Sequence, residues 1–337
     1  MAASCASLRA AMRPETQEMI RILIPLDGSP AAEKAIPHAA AIARTFSAEI
    51  ELLGVVDSPG SGFAGPVNSL DWQLSKLQTE LYLSRVAETL RDNGLRAGCE
   101  LREGDAAQAI IQAVRDSDVD LLVMTRYGNG NAHAFPMGGT AQKVISATVA
   151  SVLLVEPART FDAKRGYAQV LAAIDATQCS EWASGFAAMV AQASDGSIHL
   201  LRIVEEPSLP GGTPLTIETR RFLEHIKRVA RSQASLQLRS LVATMPPNVD
   251  TRSSVVNSSN VPATIDGAAE KVDADLIVIA AEDVNIGNPG GYGSICDSLL
   301  SQARRPLLVL RSEAAALSSN HFRSVYLDEA ETRADVV

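Results

Sequence analysis

Aromatic residues make up only 4% of this 337-residue chain, so any core must be aliphatic. Cysteine is scarce as well. Cys5, Cys99, Cys179 and Cys296 stand far apart with no CxxC pair, which fits a reduced chain with isolated thiols and not a disulfide framework or cysteine zinc site. The histidines His38, His133, His199, His225 and His321 show neither HxH nor HExxH spacing, so no metal site is expected. No stretch approaches the roughly 20 apolar residues of a membrane span, and residues 1–19 lack the apolar core of a signal peptide. GxxxxGK[ST] and GxSxG are both missing, which removes the P-loop lysine and the nucleophile elbow. No catalytic residues are assigned. The chain reads as a non-enzyme, a slow ATP hydrolysis aside. Excess cationic charge is lacking too: a net charge of −9 and a pI near 5.2 exclude nucleic acid and anionic membrane as default partners. A local phosphate pocket remains compatible with that surface.

What is present is 46% hydrophobic residue content, dominated by Ala, Val, Leu and Ile. That composition and length suit about two domains of buried parallel strands covered by helices. The most informative stretch is 120–144, DLLVMTRYGNGNAHAFPMGGTAQKV. Its apolar run at 121–124 reads as a strand buried on both faces. A glycine-rich loop follows, and then Gly138-Gly139-Thr140 opens a helix. Strand, glycine loop and helix N-terminus together suit an anion site, because the backbone can approach phosphate oxygens and the helix dipole favours negative charge; the glycines by themselves fit plain loop punctuation equally well.

The chain alternates strand and helix throughout. RILIPLD (21–27) is a strand; 29–46 is a helix started by Ser29 and Pro30. AEIELLGVVD (48–57) is a second strand, and 70–93 a long amphipathic helix ending at Asn93-Gly94. A third strand spans 96–105, with Gly104-Asp105 as a turn and cap or part of a site. A helix, the strand LLVMTRY, a helix over 140–148 and a fifth strand at 151–157 complete the unit. This alternation gives a doubly wound parallel sheet. The order then repeats: YAQVLAAID (167–175), SIHLLRIVEE (197–206), a long helix at 215–243, VDADLIVIA (272–280), GGYGSICDSL and RPLLVLR. Asp27 and Asp175 are 148 residues apart, and Gly138 and Gly293 are 155 apart. The expected organisation is therefore a flexible extension at 1–19, a domain at 20–157, a linker at 158–166, a second domain at 167–311 and a polar tail at 312–337. Met12 and Met19 are alternative starts, and a cytoplasmic location is expected.

Pro25-Leu26-Asp27-Gly28-Ser29, the strand ending Val55-Val56-Asp57, Gly104-Asp105, the apolar run at 120–124, the glycine loop and the final LLV strand occur in an order that resembles the universal stress protein family. The resemblance covers both halves, about 20–157 and 167–311. It implies two tandem five-stranded, adenine nucleotide alpha hydrolase-like (Rossmann-like) α/β domains, paired through their last strands as an intramolecular pseudo-dimer. It also implies a stress-response binding protein. Many family members bind ATP through Gly-x-x-Gly, nine residues, then Gly-Ser or Gly-Thr. Here Thr125 occupies the first glycine position, Gly128 the second and Gly138 the third, with Gly139 where the hydroxyl would stand and Thr140 one step later.

By this resemblance Asp27 hydrogen-bonds the adenosine end of ATP, with Mg²⁺ as an optional companion. Pro25, Val55 and Met124 line the base or ribose pocket, and Thr125, Gly128, Gly138, Gly139 and Thr140 surround the phosphates. Asp27 has helix capping as its lesser alternative, and Arg126 and Lys143 are open to either phosphate contact or plain solvation. In the second half Asp175, Ile203, Gly293 and Ser294 are the weaker candidates, since Ala280 and Asp283, beside Glu282, replace the loop glycines. The alternative is a scaffold that docks an unknown protein partner with no nucleotide. Further homodimerisation stays open.

Overall fold

The computed structural model describes residues 19–57, 69–128, 137–206, 216–281 and 292–311. Glu282 and Asp283, the polar tail and most of the N-terminal extension lie outside these residues.

The first unit comprises β1 (Arg21–Pro25), α1 (Ala35–Phe46), β2 (Glu49–Val56), α2 (Ser69–Asp92), β3 (Arg96–Glu103), α3 (Ala106–Asp116), β4 (Leu121–Thr125), α4 (Gly139–Ala147) and β5 (Ser151–Val155). The second repeats it as β6 (Gln169–Ile174), α5 (Gln178–Gln192), β7 (Ser197–Glu205), α6 (Ile217–Thr244), β8 (Asp250–Ser258), α7 (Val261–Lys271), β9 (Leu276–Ala281), α8 (Ser294–Gln302) and β10 (Leu307–Arg311).

Within each unit all pairings are parallel. The units meet where β10 pairs β5 antiparallel, with Leu308 opposite Leu153. The result is a ten-stranded sheet in the order β3-β2-β1-β4-β5-β10-β9-β6-β7-β8. This is the expected pair of five-stranded domains, joined through their last strands.

Burial follows from that order. Every residue of β4, β5 and β10 is buried, as strands covered on both faces require. The edge strands β3 and β8 are only partly covered. Alternate side chains feed two cores. Ile22, Ile24, Leu153 and Val155 face α1, α2, α5 and α6. Leu23, Leu122, Met124 and Leu154 face α3, α4, α7 and α8.

One helix starts later than its sequence suggests. Ser29 does cap the chain, its Oγ accepting from the Ala32 N–H at 3.1 Å. Only a 3₁₀ turn (Ala32–Lys34) follows, and α1 begins at Ala35. Pro37 explains the delay. It has no N–H to donate backwards, so it is tolerated only in the first turn of an α-helix.

Two aromatic contacts seal the seam. Phe46 stacks on Phe186 across the units at 4.5 Å between ring centres. His38 stacks on Phe161 at 4.0 Å, and its Nδ1 lies 2.7 Å from the Tyr167 hydroxyl. Burial depresses the His38 pKa to about 3 and pushes the Tyr167 phenol up, so His38 is neutral at pH 7.

Candidate functional site

The carboxyl ends of β1, β2 and β4 open onto a cavity of about 490 Å³. That lies within the range of roughly 300–1,000 Å³ typical of small-molecule sites. Parallel sheets bind ligands at this edge, where neighbouring crossovers leave a crevice. Pro25, Asp27, Val55, Met124, Thr125, Gly128, Gly138, Gly139 and Thr140 all line it. The chain thus gathers these nine first-half candidates around one space, while Gly104, Asp105 and Lys143 lie outside it.

Much of the cavity lining is apolar. Leu26, Ala32, Leu53, Val55, Ala106, Ile110, Met124 and Met137 contribute to it. Ala106 and Ile110 were not singled out by sequence, although their spacing of four places them on one face of α3. Asp105 acts as the N-cap of that helix, its carboxylate accepting from the Gln108 N–H at 3.0 Å. Asp105 does not line the cavity.

The start of α4 also lines the cavity. Gly138 is the N-cap and no side-chain hydrogen bond caps this terminus. Gly139, Thr140 and Ala141, which hold the first-turn N–H groups, line the cavity. Such groups lack intrahelical partners and carry the positive end of the dipole. A Cβ on Gly139 would meet nothing within 4 Å.

Asp27 and Gly128 fit against each other. Asp27 Oδ1 accepts from the Ser29 N–H at 2.9 Å, which holds the turn after β1. A Cβ on Gly128 would lie 2.2 Å from Asp27 Oδ2 and 3.2 Å from its Cγ. Only glycine admits the carboxylate there. Asp27 does not cap α1; Ser29 caps the turn that leads into it.

Thr125 is 6% exposed, and its hydroxyl donates to the Tyr127 carbonyl at 2.6 Å. Its side chain therefore stabilises the loop that a glycine would leave free. Arg126 lines the cavity but is not solvated, and its guanidinium is engaged by the second unit. It is buried at 4% exposure, and its guanidinium donates to the Leu300 carbonyl at 2.6 Å and the Ala303 carbonyl at 2.7 Å in the second unit. Glu156 lies 3.4 Å from its Nε. Burial pulls the Arg126 pKa down while Glu156 opposes that shift. Lys143 is exposed on α4.

In the second unit, Asp175 Oδ1 accepts from the Thr177 N–H at 2.8 Å and from its hydroxyl at 2.5 Å. Thr177 in turn caps α5. Gly293 is the N-cap of α8 with φ 86°, a backbone conformation that favours glycine, and Ser294 is the first residue of the helix. Ile203 is buried on β7.

The profile of the universal stress protein family matches residues 19–156 and again 166–311. The chain belongs to the universal stress protein family. It is a tandem member, with the two matches falling on the two halves of the sheet. It is 31% identical over 140 residues to universal stress protein MJ0531 of Methanocaldococcus jannaschii, an alignment covering 40% of this chain and 81% of that one. Among solved structures it resembles a universal stress protein from Archaeoglobus fulgidus, with TM-score 0.58, 18% identity, and coverage of 86% of this chain and 98% of that one. A protein of unknown function from Pseudomonas aeruginosa PAO1 gives TM-score 0.59 and 17% identity, covering 90% and 98%. Both likenesses concern the fold alone. No helix among the described residues is long and apolar enough to cross a membrane.

Proposed function

We propose that the first unit of this tandem universal stress protein binds an adenine nucleotide, ATP, as a stress-response binding protein with no turnover. The observation that carries this reading is one cavity lined by apolar side chains, by the Asp27 residue and by an uncapped helix N-terminus. Adenine suits the wall around Val55, Met124 and Ile110, where flat apolar surface is removed from water. The Asp27 carboxylate, an acceptor only, suits a ribose hydroxyl. Anionic phosphates suit Gly139, Thr140 and Ala141. Gly128 fits the group as well, since any side chain there would take the space of the Asp27 carboxylate.

The test is the nucleotide content of freshly purified full-length protein, read by denaturation and anion-exchange chromatography at 260 nm. About one adenine nucleotide per chain is expected. Two per chain would place a working site in the second unit and contradict the assignment to the first alone.

A partner-docking reading draws on a separate observation. Leu70, Leu74, Leu77 and Leu81 form one row on α2, each 48–58% exposed. Their alternating spacing of four and three is the seam pattern of helix pairing. Leu74→Glu with Leu77→Glu should leave nucleotide binding intact and abolish partner capture if that row docks a protein.

A further inference from the structure

The helix whose N-terminus faces the cavity is held from behind by the other unit. α4 has nine residues, Gly139–Ala147, with Thr148 as its C-cap. The Thr148 carbonyl accepts from Arg311 Nη1 at 2.5 Å, across the seam. The Ala150 carbonyl accepts from the Tyr292 hydroxyl at 3.1 Å, again across the seam. Arg311 lies over the Tyr292 ring at 4.6 Å, and the two are 4% and 2% exposed. Water therefore cannot substitute readily for either contact.

The front of the same helix is tied indirectly. The Gly138 N–H donates to the Arg126 carbonyl at 3.0 Å, and the Arg126 N–H donates to the Val155 carbonyl at 3.0 Å. The Arg126 guanidinium then crosses to Leu300 and Ala303 at the end of α8. Each unit thus supplies an arginine to the C-terminal carbonyls of the other unit's helix, a favourable place for a cation. The two arginines come from different strands. Arg126 follows β4, whereas Arg311 ends β10.

We infer that the second unit is the positioning frame of the first unit's site: Arg311 and Tyr292, with Arg126, set the placement of the α4 N-terminus and so tune its grip on the phosphate end of the nucleotide without touching it. This rests on the nucleotide reading above. A short helix moves as a rigid rod, so a shift at Thr148 is delivered to Gly139. N–H···O bonds weaken steeply once distance and angle leave their narrow range. The adenosine end is built on β1, β2, α3 and Met124 of β4, none of which touches Arg311 or Tyr292 through these bonds. Loosening the frame should therefore cost phosphate affinity selectively.

The experiment compares full-length wild type, Tyr292→Phe, Arg311→Met and Arg126→Lys in calorimetric titrations with ATP, adenosine and tripolyphosphate. Amide hydrogen exchange of the segment 137–147 is followed in the ligand-free proteins. Tyr292→Phe removes one O–H and keeps the ring beneath Arg311, so it serves if Arg311→Met fails to fold. The expected result is a five- to fifty-fold loss of ATP and tripolyphosphate affinity, adenosine affinity within twofold of wild type, and faster exchange in 137–147. Arg126→Lys should fall between wild type and Arg311→Met. Equal losses for ATP and adenosine would show a merely structural role and overturn the inference. So would unchanged ATP affinity with unchanged exchange. Wild type that binds neither ATP nor tripolyphosphate would refute the nucleotide reading itself, and faster exchange in 137–147 would then still report the mechanical link.

Discussion

Substituting Gly128 by alanine adds a single methyl group at the point where the chain has no room for one. The new Cβ would sit 2.2 Å from Asp27 Oδ2 and 3.2 Å from Cγ. Such separations fall well inside van der Waals contact, so the Asp27 carboxylate must swing away and give up its bond to the Ser29 N–H, 2.9 Å long in the native turn. Hydrogen bonds to charged groups contribute about 1.5–3 kcal/mol. If that carboxylate also holds the ribose, its displacement weakens ATP binding by a similar amount, or roughly 10- to 150-fold in Kd. The assay is a double-mutant cycle by calorimetry with ATP on wild type, Gly128→Ala, Asp27→Ala and the double variant. Once Asp27 is alanine, the extra methyl has nothing to displace. Gly128→Ala should then cost little further, giving a coupling energy of about 1.5–3 kcal/mol. Additive losses, or a Gly128→Ala protein that binds ATP as wild type does, would refute the reasoning.

Asp27→Asn should weaken ATP binding about tenfold or more while far-UV circular dichroism stays unchanged; a change in thermal stability alone would limit Asp27 to holding the turn at Ser29. His38, at a pKa of about 3 in the folded chain against 6.5 unfolded, binds its proton less readily when folded. The unfolded state therefore holds more protons between those values, and stability should fall as pH drops from about 6.5 towards 3, by on the order of 4 kcal/mol in all. Denaturant melts across that range should show a shallower pH slope for His38→Gln, and an identical slope would refute the assignment. Phe186→Ala removes the ring stacked on Phe46 at the seam and should cost about 3–5 kcal/mol in chemical unfolding. A loss below about 1 kcal/mol would mean the stack contributes little.

The central strands were readable because burial on both faces leaves continuous apolar runs, as at 121–124 and 307–310. The repeat made the two tandem units readable as well, whereas their pairing through the last strands was implied only by the family resemblance. The edge strand β8, DTRSSVVNS, has no such run, being open on one side. The start of α1 was misjudged because Ser29-Pro30 is a strong initiation signal that Pro37 overrides. At the site, glycine spacing marked Gly128 and Gly138 but not why Gly128 must be bare. That reason is the carboxylate of Asp27, which the sheet brings beside it from a distant strand. Arg126 was least legible of all. Besides Glu156, its partners include the backbone carbonyls of Leu300 and Ala303, and a carbonyl leaves no mark in sequence.

The most direct measurement is equilibrium dialysis of nucleotide-free full-length protein against labelled ATP, carried to saturation. One ATP per chain, displaced by unlabelled ATP and lost in Asp27→Ala, is the result expected of a single site in the first unit. No saturable binding at millimolar ATP would contradict it.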